Sequence, residues 1–189
     1  SVDANIFQHK PFLDNYNEKN GTDIVDVARS YTAPLALYSD KYKALGELED
    51  GAEILIANDP TNLARSLILL DKNGIIKLKD PNNVVATLED IVENPKNLKI
   101  TTITGDQIAI RLKEEGAAVI PGNYAVKNGL NPRESLAVES KDSPYVNIIA
   151  VLKGNENDER IQTLIKVLHS DEMKKIVEEK YQGSVMPTF

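Results

Sequence analysis

Arg65 is the side chain whose position most constrains what this chain can do. It lies in residues 56–70, IANDPTNLARSLILL, where a β-rich run at 53–57 feeds through Asn58-Asp59-Pro60-Thr61-Asn62 into an apolar helical run. Asp59 or Thr61 can N-cap that helix, and Pro60 falls where a first-turn proline is tolerated. Arg65 is then expected in the first turn, beside backbone N–H groups that lack intrahelical partners. Such a helix start favours an anion through its dipole and donors, and a guanidinium fork suits a carboxylate or phosphate. Taken alone, the stretch also reads as a well-capped turn followed by a solvated arginine, a common connection in α/β proteins.

Amides at apolar strands extend the pattern. Asn58 and Asn62 follow one strand, Asn123 follows the apolar run at 117–120, and Asn147 sits inside the run at 145–152. Ligands of open α/β sheets bind beyond the carboxyl ends of strands. A carboxamide both donates and accepts, which suits a zwitterion's ammonium and carboxylate. Each asparagine singly can satisfy neighbouring backbone, but four of them with Arg65 point to a cleft for a small ligand.

The chain has two histidines. His169 falls at a helix end and reads as exposed, capping the last carbonyls. His9 stands in FQHKPF between Phe7 and Phe12, and reads as a packed or hydrogen-bonded residue rather than a catalyst. Cysteine is absent, which removes disulfides, thiol catalysis and cysteine-ligated zinc. Spacing therefore offers no metal site. Gly-x-Ser-x-Gly, a Walker loop and Gly-x-Gly-x-x-Gly are also missing. Neither a metal, a cofactor nor an enzymatic activity is expected.

The elements that must position these residues alternate. At 189 residues, 41% hydrophobic and 27% charged, the chain is long enough for one large domain or two small lobes. A net charge of -7 argues against nucleic acid as a partner. No run approaches the ~18 apolar residues of a membrane span. Strands are expected at 2–7, 24–28, 31–38 (broken by Pro34), 53–57, 98–103, 117–120, 135–138 and 145–152, with a short strand or turn at 75–78. Helices are expected at 12–18, 62–72, from the capping box at 87–90 to before Pro95, 105–115, 158–169 and after Ser170, with a short helix or turn at 41–49. The near-continuous apolarity of 145–152 suggests cover on both faces, as in a parallel sheet. This is an α/β pattern. Residues 1–50 and 143–189 are expected to form one lobe and 51–142 the other, with connections near 49–53 and 141–145.

Five segments, DANIFQHKPFL, NDPTNLARSLILL, DIVENPKNLKI, GNYAVKNGL and SPYVNIIAV, resemble the substrate-binding lipoproteins of methionine importers of the ATP-binding cassette type. The likeness runs in order through essentially the whole chain. It implies a two-lobed periplasmic-binding-protein-like (type II) fold with methionine in a cleft between lobes. It also implies an extracytoplasmic protein held at the membrane by a lipid anchor, which delivers its ligand to the permease subunits of the importer. Carried over by motif, Arg65 pairs with the ligand carboxylate and Asn62 supports that end or the helix start. Asn123 and Asn147 hydrogen-bond the amino-acid head group, and Phe7, His9 and Phe12 line the thioether pocket.

Ile6 and Phe12 depart from the family's usual Phe and Tyr, and Phe12 lacks the hydroxyl donor. The opening Ser1-Val2-Asp3-Ala4-Asn5 reads as the middle of a strand, so a preceding strand–helix–strand unit of about 30 or more residues and the lipid-bearing cysteine are expected outside this chain. True loss of that unit would leave strand edges exposed and weaken binding. The alternatives are a binder of another small amino acid or a methionine-containing dipeptide, the effector-binding domain of a regulator, and an enzyme acting through His9.

Overall fold

The computed structural model describes residues 2–140, 143–181 and 183–189. In chain order its elements are α1 (Lys10–Asn20), β1 (Ile24–Arg29), β2 (Tyr31–Thr32), β3 (Ala36–Ser39), β4 (Glu53–Ala57), α2 (Pro60–Lys72), β5 (Lys77–Leu78) and β6 (Ile91–Glu93). They continue with β7 (Lys99–Ile103), α3 (Gly105–Glu115), β8 (Ala117–Ile120), α4 (Gly122–Lys127), β9 (Ala137–Val138), β10 (Ile148–Leu152), α5 (Glu159–Leu168), α6 (Asp171–Tyr181) and β11 (Met186–Pro187).

The chain divides into two compact units, Ser1–Thr32 with Lys141–Phe189, and Ala33–Ser140. The first boundary therefore falls at 32/33 and not near residue 50. Pro34 splits the expected strand at 31–38: β2 pairs with β11, while β3 is hydrogen-bonded between β8 and β9. Residues 33–50 follow β3 into the second unit. Of the connection expected at 141–145, Lys141 and Asp142 lie outside the described residues.

The second unit is built on a five-stranded sheet in the order β7-β4-β8-β3-β9. β4 is parallel to β7 and β8, and β3 runs antiparallel to both β8 and β9. Successive residues of β4 serve opposite faces, as a strand's period of two requires. Ile54 and Ile56 pack with Ala64, Leu67 and Leu70 of α2, whereas Leu55 and Ala57 pack with Ile108 and Leu112 of α3. Helices on both faces explain why β4 and β8 are almost wholly apolar. The capping box at Thr87 and Asp90 forms, but it closes a single 3-10 turn that runs into β6, and the helix expected there does not develop. Of the short helix or turn expected at 41–49, a 3-10 turn forms at Leu45–Glu47.

The first unit uses shorter ladders. β10 pairs antiparallel with β1, through an irregularity between Asp26 and Ala28, and not in the parallel arrangement expected. Its continuous apolarity reports cover on both faces, and one of those covers is Leu13 of α1, packed on Ile148 and Ala150. The expected strand at 2–7 reduces to isolated bridges at Asn5, opposite Ala150, and His9, opposite Asn147. α1 is longer than expected and stops at Gly21, whose φ of 61° is the left-handed cap that favours glycine. Asp158 caps α5, and the Ser170 hydroxyl accepts from Met173 N (3.2 Å) to start α6.

Tyr38 is 4% exposed in the α3-side core, and its hydroxyl has no hydrogen-bond partner among the described residues. Burial pushes its ionisation up from 10.0 to about 12. The unfolded chain thus releases this proton near pH 10 and the folded chain does not, so stability is lost as pH rises from 10 towards 12. Tyr38→Phe should be at least as stable at neutral pH and should retain more stability than the wild type across that alkaline window. Chemical denaturation at a series of pH values checks this.

Candidate functional site

In the second unit the carboxyl ends of β4, β7, β8 and β9 and the start of β3 all lie at one end of the sheet. That is where ligands of open α/β sheets are bound. Asn58, Asn62 and Arg65 follow β4, and Asn123 follows β8. The opposite end carries a cavity of about 440 Å³ lined by residues 40–42, 49–53 and 113–116. Two of its carboxylates, Glu49 and Glu53, are paired with lysines. Lys41 donates to Glu49 (2.6 Å) and holds that carboxyl below its usual range. Lys99, at 2.8 Å, and then Thr101 do the same for Glu53.

The start of α2 is tightly organised. Asp59 caps it by accepting from Asn62 N (3.0 Å), and Pro60 occupies the first helical position. The Asn62 carboxamide donates to both Asp59 oxygens (3.2 and 3.1 Å) and offers its own oxygen to Arg65 Nη1 at 3.5 Å. Because α2 starts at Pro60, Arg65 lies in the second turn and not the first. It is not a solvated arginine either: its side chain is 5% exposed. Arg65 Nε donates to Glu139 Oε1 (2.8 Å), and Nη2 donates to Glu139 Oε2, a two-pronged pair. Glu139 also accepts from Leu35 N at 3.2 Å. Its place could not be read from spacing, since 74 residues separate it from Arg65.

Asn123 is exposed in the first turn of α4, a helix that is not among those expected from the sequence. The stop at Asn128-Gly129, with Gly129 at φ 73°, was the signal available for it. Gly122 precedes Asn123 because a Cβ there would lie 2.4 Å from the Ala33 backbone. The Asn123 side chain makes no hydrogen bond to the described residues.

In the first unit His9 is buried, and its Nδ1 accepts from Phe12 N (3.1 Å), which caps α1. In the neutral ring this places the proton on Nε2. The imidazole stands edge-on to Tyr145 at 5.1 Å and to Phe12 at 6.1 Å. Phe7 meets Phe12 edge-on at 6.4 Å and is 59% exposed. Asn147 is held by its backbone: its N–H donates to Thr32 Oγ1 (2.7 Å) and its carbonyl accepts from Ser30 N (2.8 Å). Its carboxamide makes no hydrogen bond to the described residues. Phe7, His9 and Phe12 thus form one aromatic group, which a main-chain bridge at His9 connects to Asn147. His169 is the C-cap of α5, its backbone N–H donating to Ile165 O (2.9 Å), and its ring is used elsewhere. Its Nε2 donates to Arg29 O (2.8 Å), and its ring stacks on Phe189 with centroids 3.7 Å apart.

A model of the NlpA lipoprotein family matches residues 1–189. The chain belongs to that family. It is 43% identical over 188 residues to the D-methionine-binding lipoprotein MetQ of Salmonella typhi, covering 98% of this chain and 69% of the relative. Among solved structures, a nutrient binding protein from Burkholderia cenocepacia bound to methionine superposes with a TM-score of 0.95 at 39% identity, over 100% of this chain and 80% of the other. The substrate binding protein of a methionine transporter from Streptococcus pneumoniae gives 0.90 at 37%, over 100% and 76%. The fold is therefore the periplasmic substrate-binding one. Among the described residues no group of three or more His, Asp or Glu side chains is placed to hold a metal, and no helix is long and apolar enough to cross a membrane.

The cap made by His9 separates cleanly from its ring contacts. His9→Ala and His9→Asn both remove the buried ring, so the cap is read from their difference: His9→Asn, which restores a side-chain acceptor, should be about 1 kcal/mol more stable than His9→Ala. Thermal unfolding of the three proteins measures the difference.

Proposed function

We propose that this chain is the ligand-binding component of a methionine importer and not an enzyme. In this reading it is an extracytoplasmic lipoprotein that hands methionine to the permease of an ATP-binding cassette transporter. The observation that carries the reading is the likeness, across the whole chain, to the methionine-bound Burkholderia protein. The side chains described above suit such a ligand. Arg65 is a buried guanidinium at the ligand end of the sheet, matched to a carboxylate. Asn62 holds Nη1 of that guanidinium, and Asn123 and Asn147 carry carboxamides able to meet an amino-acid head group. Phe7, His9 and Phe12 offer ring edges and faces to a thioether, with sulfur–aromatic contacts of about 0.3–1.5 kcal/mol each. His9, the buried histidine, is engaged as a helix cap, which supports a binding rather than a catalytic role.

The test is calorimetric titration of L- and D-methionine into protein unfolded and refolded to remove carried-over ligand. Arg65→Ala is a poor probe, because it strands Glu139 in a site where breaking a buried pair costs about 3–5 kcal/mol. Asn123→Ala and Asn147→Ala are better, since neither carboxamide supports the fold. Each should leave the unfolding free energy within about 0.5 kcal/mol of wild type while weakening methionine binding roughly ten- to a hundredfold, as for a lost bond to a charged group. A folded wild type that binds neither enantiomer would sink the reading.

A further inference from the structure

Two carboxylate–guanidinium contacts and one amide contact converge on a single side chain that the sequence reading passed over. Glu139 follows β9, and its backbone N–H donates to Leu35 O at 2.9 Å while its carboxylate accepts from Leu35 N. The same carboxylate grips Arg65 along its Nε and Nη2 edge. Leu35 lies just after the point where the chain enters the second unit, and Glu139 just before the point where it leaves. The Glu139 side chain is 12% exposed and fully engaged, so its carboxylate ties both crossing segments to the second turn of α2.

A planar fork held along one edge has the direction of its other edge fixed as well. We infer that Glu139 is the positioning residue for ligand recognition: it aims Arg65 at the ligand carboxylate and does so without touching the ligand. This rests on the reading of Arg65 as the carboxylate contact. Asn62 assists from the other side at 3.5 Å, a distance too long to fix the plane alone. Between these two contacts, the two-pronged Glu139 pair is the one that fixes the plane of the fork. It also supplies the counter-charge that lets a guanidinium stay buried before any ligand arrives.

The experiment compares L-methionine with L-methioninamide, in which the carboxylate is replaced by a neutral carboxamide, on wild type, Glu139→Gln and Glu139→Asp. Glu139→Asp keeps the charge and shortens the reach, so it carries the test if the neutral variant fails to give a cooperative thermal transition. Wild type should prefer methionine by at least about tenfold. In the folded variants methionine affinity should fall by at least about tenfold and amide affinity by less than about threefold, collapsing the preference. Equal losses for both ligands would overturn the inference, because Glu139 would then support the fold or meet the ammonium itself. Unchanged methionine affinity would overturn it too, since Arg65 would then be aimed without Glu139. A wild type that binds methionine without preferring it to the amide would remove the carboxylate role of Arg65 and the inference with it. A wild type that binds neither would sink the methionine reading at its root.

Discussion

A guanidinium nine-tenths removed from water must be neutralised where it stands, and in this protein Glu139 does that for Arg65. The polar contacts at the carboxyl ends of the second unit's strands follow from this constraint. The carboxylate has to reach the second turn of α2 from the far end of β9, so the segment around Leu35 is drawn into the same hydrogen-bond group. From Arg65 the chain of polar contacts continues through Asn62 to Asp59, the cap of the helix. A buried pair of this kind contributes little net stability against an apolar replacement. What it supplies is direction, and direction is what a site for a small zwitterion needs.

The two units reach their cores by different routes. In the second, one central strand divides its side chains between α2 and α3, so a regular period of two builds both hydrophobic layers. In the first, a helix and two short ladders share the work, and the polar restraints are unusually specific. Asn147 is pinned by Ser30 and Thr32, and Thr32 is itself paired with Met186 of β11. Its backbone is fixed while its carboxamide is left to other uses. Asn123 achieves the same separation differently, riding on a helix that comes close to Ala33 only because residue 122 has no Cβ.

What the sequence revealed depended on how local each signal was. Strands β4, β7 and β8 and helices α2, α3 and α5 were legible because periodicity and caps lie within a few residues of one another. The direction of β10 was not legible: apolarity on both faces says that something covers a strand, not which way its neighbour runs. Pro34 was seen as a break but not as a boundary, because whether two half-strands share a sheet is decided by partners more than 80 residues away, such as Val119 opposite Leu37. Phe7, His9 and Phe12 are close in sequence and proved close in space. That His9 would serve as a helix cap was missed because the common caps are Ser, Thr, Asp and Asn. The partner of Arg65 was beyond reach for the same reason as the neighbour of β10: one acid among 29 acidic residues carries no mark of which base it will meet.

The interrupted course of the chain has a consequence for biosynthesis. The second unit is one continuous stretch, Ala33–Ser140, whereas the first is assembled from both ends. β1 leaves the ribosome early but cannot close its ladder until Ile148–Leu152 has been made, and β2 must wait for Met186–Pro187. At about 5–20 residues per second, the opening segment spends several seconds with its strand edges unpaired while the inserted unit can already complete its own sheet. Over that interval residues 33–140 can be folded while residues 24–32 still lack their ladder partners, and the aromatic side chains of Phe7 and Phe12 are apolar surface that a chaperone would hold.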